Sequence, residues 1–217
     1  MRLGFLVSGR GRLFGAVCQA AERGILGSEV VVCVVDRPCE AIQMAQDWHV
    51  PVTLVERKDY SSREEFSDKV LEVLVQHGVD LVLLTFDSLL SGSLLRSFEG
   101  RIVNFHPALL PAFKGFKALQ SAVDTKVTIG GGTLHLVDET MDGGRIILQW
   151  AVPLYPHDNS ASYGLRVFEQ GSLGVIQAVK WFEEGRVKVS PNGVAIEGGT
   201  YGTLPHNPAL EWKAGEA

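Results

Sequence analysis

Leu3-Gly4-Phe5-Leu6-Val7-Ser8-Gly9-Arg10-Gly11-Arg12-Leu13-Phe14 sets the fold class of this chain. Leu3 to Val7 is a short apolar run of buried-strand length, two glycines follow, and a helical pattern runs from about Leu13 to Arg23. A strand, a glycine turn and a helix in that order open a crossover unit, and the turn leaves backbone N–H groups at a helix N-terminus, where anions bind. The dinucleotide-binding fingerprint fails, because Phe14 stands in the third glycine's place. Arg10 and Arg12 can serve an anion there or stand as solvated loop charges, and the sequence favours neither.

Working outward, the same alternation repeats. Strands are expected at Val30 to Val35, Val52 to Val55, Val79 to Leu84 and Arg101 to Phe105. Helices are expected at Glu40 to Trp48, Arg63 to His77 and Ser91 to Phe98, with Ser61 or Ser62 capping the second. Alternating strands and helices imply an α/β fold, Rossmann-like, with a mostly parallel twisted sheet and helices on both faces. Two further strands, Thr128 to Val137 and Arg145 to Val152, precede a long helix from about Ser160 to Glu184. Its apolar residues Leu165, Phe168, Leu173, Ile176 and Val179 fit one buried face imperfectly, and Gly171 and Gly174 suit close packing. From Val187 the chain is rich in Gly, Pro and Asn, with Val194 to Ile196 able to form a short edge strand before an irregular end.

Over 217 residues, 46% are hydrophobic and 21% charged, which supports a sizeable core. A net charge of −5 without any basic run argues against a nucleic-acid footprint. No stretch approaches a membrane span, and Met1-Arg2-Leu3-Gly4 enters a strand without an apolar leader, so a cytoplasmic location is expected. Cys18, Cys33 and Cys39 lack zinc spacing and read as reduced thiols, two of them buried; no metal site is expected.

Candidate chemistry lies in Val103-Asn104-Phe105-His106-Pro107-Ala108-Leu109-Leu110-Pro111 and in Asp138-Glu139-Thr140-Met141-Asp142-Gly143-Gly144. Asn104 and His106 are two apart, on one face of a strand that Pro107 ends. An amide and an imidazole there can hold a developing oxyanion or move a proton, and Asp142 can orient the imidazole or favour its charged form. Taken singly, each of the three is more often a cap or turn residue. His135, with Thr133 on its face, either tunes His106 or is a satisfied core histidine. His49, His77, His157 and His206 are expected to face solvent.

Together these two segments resemble the signature of the folate-dependent formyltransferases, Asn-x-His-Pro-Ser-Leu-Leu-Pro followed by Leu-Asp-Gly-Gly, with Ala108 for the Ser and Met141 for the Leu. The similarity runs from about Leu3 to Arg186. It implies the formyltransferase fold, a catalytic domain over residues 1–186 and a tail at 187–217 packing on it. It implies 10-formyltetrahydrofolate as co-substrate, Asn104, His106 and Asp142 as catalytic residues, and a small-molecule amine as acceptor. By the same resemblance Phe86, Ser88, Leu89, Leu90, Val137, Asp138 and Met141 hold the pterin, largely through backbone groups. Gly9, Gly11, Arg12, Arg63 and Gly115 fall on the acceptor side.

Several positions depart from the branch that formylates glycinamide ribonucleotide. Its phosphate loop Gly-x-Gly-Ser-Asn-Leu reads Gly9-Arg10-Gly11-Arg12-Leu13-Phe14, a ribose-binding Glu aligns with Gly171, and Leu-His-Thr-His after the loop glycine becomes Phe116-Lys117-Ala118-Leu119. In the pterin segment Phe-Met-Arg-Ile-Leu becomes Phe86-Asp87-Ser88-Leu89-Leu90. These changes point first to another amine, such as an amino sugar nucleotide, a modified amino acid or a peptide. The alternative is glycinamide ribonucleotide transformylase itself; a formyltetrahydrofolate hydrolase and a non-catalytic folate-binding module come behind. Oligomeric state is not legible in the sequence.

Overall fold

The computed structural model describes residues 1–212. Contacts divide the chain into two compact units, Met1–Asn104 with Val137–Glu139, and Phe105–Leu136 with the described residues from Thr140 onward. The strands form one eight-stranded, mostly parallel sheet in the order β10-β7-β6-β5-β4-β1-β2-β3, and a two-stranded sheet stands apart.

In the first unit β1 (Arg2–Val7), β2 (Glu29–Val35), β3 (Val52–Leu54), β4 (Leu81–Thr85) and the start of β5 (Ile102–His106) pair in parallel. β1 lies between β2 and β4, with Phe5 beside Cys33 on one side and Leu83 on the other. β1 pairs in parallel on both edges, and the crossover helices of such a sheet cover its two faces, which is why Leu3 to Val7 is buried throughout and reads as a continuous apolar run. The crossovers carry α1 (Arg12–Glu22), α2 (Glu40–Asp47), α3 (Arg63–Gln76) and the short α4 (Ser93–Ser97). Ser62 caps α3, its hydroxyl accepting the Glu65 N–H at 3.1 Å. Cys18 and Cys33 are buried thiols, pushed up to about 12 first of all by that burial, whereas Cys39 is only half-buried.

The second unit contains the end of β5, α5 (Ala118–Thr125), β6 (Ile129–Leu136), β7 (Ile146–Pro153) and α6 (Ser160–Glu183). Asn159 and Ser162 form a reciprocal cap at the start of α6, as the sequence position of the helix requires. On β6 a Cβ at Gly130 would stand 2.0 Å from the Tyr163 hydroxyl and one at Gly132 2.0 Å from the Trp150 ring, so only glycine lets these aromatics lie on the strand. The buried stripe of α6 is Tyr163, Gly164, Val167, Gly171, Gly174, Val175 and Ala178 together with Ile176, Val179 and Trp181. Of the expected face Ile176 and Val179 are buried, Phe168 and Leu173 half-buried, and Gly171 and Gly174 closely packed, whereas Leu165, 56% exposed, falls outside it.

Beyond α6, β8 (Val187–Ser190) and β9 (Gly193–Ile196) form a hairpin of their own, so Val194 to Ile196 pairs with β8 and not with the main sheet. The expected irregular end holds one more strand, β10 (His206–Asn207), antiparallel to Trp150 and Gln149 of β7. His206, expected to face solvent, is 4% exposed; its ring lies over Trp150 at 6.3 Å and Nε2 sits 3.0 Å from the Gln170 carbonyl. Its burial is a tertiary event that no local pattern around Pro205 and Pro208 announces. His49 and His157 are exposed and His77 half-buried. No helix among the described residues is long and apolar enough to cross a membrane.

Candidate active site

β5 ends at His106 because Pro107 has no N–H to continue the ladder. Asn104, beside Leu84 of β4, is half-buried on this strand two residues earlier. The His106 ring is buried, with Nε2 2.9 Å from the carbonyl of Phe113. A carbonyl only accepts, so Nε2 carries the hydrogen and Nδ1 is left facing Oδ2 of Asp142 at 3.4 Å. The acidic turn bends Asp142 into the left-handed region at φ 48°, where its carboxylate takes the Gly115 N–H at 2.7 Å. His135 flanks the other oxygen, Nε2 to Oδ1 3.7 Å, while its Nδ1 sits 2.9 Å from the Leu136 carbonyl. His135 therefore bears on the carboxylate and reaches His106 through it.

Charges follow from this packing. Burial pulls the Asp142 carboxyl up, but the His135 ring, the Gly115 N–H and the charge on His106 together outweigh it and leave the group at about 2. Burial lowers His106 below the ordinary imidazole range more than Asp142 and the Phe113 carbonyl raise it; the nearby His135 and Lys114 charges lower it further. At neutral pH the pair is an ionised carboxylate and a neutral ring whose free lone pair faces it. A proton placed on Nδ1 turns that lone-pair contact into an ion pair, so the arrangement can store one proton during a reaction.

The turn after His106 is held by a buried hydroxyl. Thr133 Oγ1 donates to the Ala108 carbonyl at 2.7 Å and accepts the Leu110 N–H at 3.1 Å and the Gln149 amide at 3.0 Å. Gln149 also donates to the Leu110 carbonyl at 3.0 Å. Alternation with His135 marks Thr133 in the sequence; Gln149, Phe113 and Lys114 carry no such signal, because their parts depend on where the loop folds.

The remaining sequence-nominated residues fall as follows. In the second unit Gly115 bonds Asp142, and Met141 is 45% exposed, its sulfur 3.8 Å from where a Cβ on Gly115 would stand. In the first unit Phe86 and Leu90 turn their side chains into the core, against which Val137 also packs. Ser88 donates to buried Asp36 at 2.7 Å, Asp87 pairs with Arg37 at 3.2 Å and its N–H meets the Ser8 hydroxyl at 2.7 Å. Ser88, Leu89 and Val137 are half-buried and Asp138 is exposed. Gly11 begins α1 at φ 70° against Ala41, Gly9 is exposed with its carbonyl accepting the Ala41 N–H, Arg12 is half-buried and Arg63 exposed. Arg10 pairs with Glu40 at 3.4 Å on the open surface.

The sequence profile of the formyl transferase family matches residues 1–179. A phosphoribosylglycinamide formyltransferase of Haemophilus influenzae is 30% identical over 91% of this chain and 94% of its own length. The crystal structure of a glycinamide ribonucleotide transformylase from Symbiobacterium toebii superposes with a TM-score of 0.88 at 33% identity, covering 91% of this chain and 94% of that one. A formyltetrahydrofolate deformylase structure from Pseudomonas putida is more distant, with a TM-score of 0.79, 26% identity and coverage of 90% and 69%.

Proposed function

We propose that this chain, which belongs to the formyl transferase family and is a folate-dependent formyltransferase, passes its formyl group to the primary amine of glycinamide ribonucleotide. The observation that carries formyl transfer is the neutral His106 ring aimed at ionised Asp142. The acceptor rests on the substrate named for relatives that match along nearly their whole length.

Bound 10-formyltetrahydrofolate supplies the electrophilic formyl carbon. His106 and Asp142 together accept the proton that the attacking amine must lose: Nδ1 takes it while Nε2 stays tied to Phe113, and the ion pair with Asp142 stabilises the charge on the buried ring. The Asn104 amide donates to the oxygen that gains charge as the amine adds; as that oxyanion collapses, the bond from the formyl carbon to folate N10 breaks and the proton held on His106 Nδ1 passes to that nitrogen, releasing tetrahydrofolate and the N-formyl product. Gly115 and His135 keep the carboxylate ionised and oriented, so it remains a base at any pH near neutrality.

A second reading, another amine on the same machinery, is favoured by one contact. A Cβ at Gly171, the position aligned with a ribose-binding Glu, would lie 2.2 Å from the Phe105 ring and 2.8 Å from Trp150. Any side chain is excluded there, so a ribose would have to be held by other residues. The test is tetrahydrofolate release from 10-formyltetrahydrofolate with glycinamide ribonucleotide, with a panel of amino sugar nucleotides and amino acids, and with no amine. Saturable turnover with the ribonucleotide is expected. Turnover only with another amine would transfer the assignment to it, and equal turnover without amine would make the chain a hydrolase.

A further inference from the structure

Among the described residues four other than glycine hold a positive φ: His49, Phe113, Lys126 and Asp142, at 55°, 52°, 57° and 48°. Helix ends account for two of them, since a left-handed residue commonly closes a last turn: Lys126 caps α5 and His49 follows the end of α2. The other two meet at one ring. The Phe113 carbonyl lies 2.9 Å from His106 Nε2, and the Asp142 carboxylate lies 3.4 Å from Nδ1. For a bulky residue such as Phe113 this backbone region is an outlier, kept only where the surrounding structure imposes it.

A neutral imidazole cannot satisfy both contacts, because it has one N–H and one lone pair. With the hydrogen on Nε2, the Phe113 carbonyl is paired and a lone pair faces Asp142. With it on Nδ1, the carboxylate is paired and a lone pair faces the carbonyl. Only the imidazolium donates to both, so the two acceptors together favour the charged ring, against burial and the charges of His135 and Lys114. An ionised carboxylate is the stronger acceptor. A ring left to Asp142 alone would therefore carry its hydrogen on Nδ1 and lose the lone pair that takes the amine's proton. Two residues beyond Phe113, the Gly115 N–H holds Asp142 at 2.7 Å, so one short loop grips both partners, the ring by a carbonyl and the carboxylate by an N–H.

We propose that Phe113 is a positioning residue for formyl transfer: its left-handed backbone aims a carbonyl at His106 Nε2 and keeps the Nδ1 lone pair free for the proton of the attacking amine. The residue acts through its peptide group and touches no reacting atom. Position 113 must supply a backbone conformation, and its aromatic side chain is secondary to that. The inference rests on proton acceptance by His106 and holds for whichever amine is formylated.

The experiment compares the full chain as wild type, F113G and F113V. Glycine adopts a positive φ readily, whereas a β-branched valine resists it. F113A, which resists it less, takes the place of F113V if that chain does not fold. Long-range proton–nitrogen NMR correlations of the His106 ring show where its hydrogen sits, with neither folate nor amine present. Wild type and F113G should carry it on Nε2. F113V should shift it toward Nδ1, and the His106 titration midpoint should move to lower pH, because one of the two acceptors that favour the imidazolium is withdrawn. In the tetrahydrofolate-release assay F113G should exceed F113V by at least about tenfold in kcat, part of the roughly hundredfold or more that a positioned base contributes, with KM for 10-formyltetrahydrofolate within about twofold in both. A ring hydrogen that stays on Nε2 in F113V overturns the inference, and so does an F113V kcat equal to or above that of F113G, which would assign position 113 to side-chain packing. The expected tautomer shift in a chain that formylates no amine would overturn the proposed reaction separately, since the ring hydrogen is located without turnover.

Discussion

Replacing Gly171 by Ala sets two effects of opposite sign against each other. In a solvent-exposed helix interior the change gains about 1 kcal/mol, because glycine loses more backbone entropy on folding. At this position the added methyl would stand 2.2 Å from Phe105 Cε2, 3.1 Å from its Cζ and 2.8 Å from Trp150 Cζ2. Neither ring can retreat easily. Phe105 is stacked on Phe168 at 4.8 Å and packed on Trp150 at 5.3 Å, and the Trp150 N–H is tied to the Val167 carbonyl at 3.0 Å. Overpacking of this kind costs roughly 1–3 kcal/mol, and contacts as short as 2.2 Å put this site at the upper end, so the net expected is a loss of about 2 kcal/mol, a fall in Tm of a few degrees for a chain of this size. Because Phe105 stands between Asn104 and His106, the shift should also lower kcat, and F105L should recover part of both losses by removing the ring atoms that clash. The checks are thermal and urea unfolding of G171A, F105L and the double variant, with turnover measured alongside. A G171A chain more stable than wild type would refute the packing argument, and with it the claim that position 171 has no room for a ribose-binding side chain.

Two further outcomes follow from the site. Asp142 is depressed from 3.8 to about 2, so its contribution to stability, about 2 kcal/mol, is fully present above the unfolded-state value and is lost as pH falls toward 2; His106 is depressed as well, so the unfolded chain binds its proton more readily and stability is also lost as pH falls through the ordinary imidazole range. Urea unfolding between pH 3 and 8 should show both slopes in the wild type, and D142N should have a shallower acid slope, the depressed Asp158 carboxyl keeping part of it; an unchanged acid slope in D142N would remove Asp142 as a source. T133A strips a buried hydroxyl from three partners and leaves the Leu110 N–H unsatisfied, for an expected loss of about 2–4 kcal/mol and a sharp fall in turnover, whereas T133S keeps the hydroxyl and should retain most of both. Equal losses in the two variants would assign the effect to the methyl group's packing.

What could be read from the sequence alone was whatever rests on local periodicity and on residue type. The continuous apolar run at Leu3 to Val7, the glycine turn and the alternation that follows require a parallel sheet, since only a strand covered on both faces hides every side chain. The Asn104-x-His106-Pro107 segment and the Asp142-Gly143-Gly144 turn announce their chemistry because amide, imidazole and carboxylate are chemically distinctive wherever they fall. Tertiary structure decided the rest. That His206 is buried depends on a strand pairing with β7 and on the Trp150 ring it lies over, and that position 171 admits no side chain depends on the rings of Phe105 and Trp150. That His106 is neutral depends on its burial, against the pull of Asp142 and of the Phe113 carbonyl, and that Asp142 is ionised depends on an N–H from Gly115 and a ring from His135 reaching its carboxylate. Local sequence sets the directions in which side chains leave the backbone; which groups they meet there, and therefore their charge, is set by long-range packing.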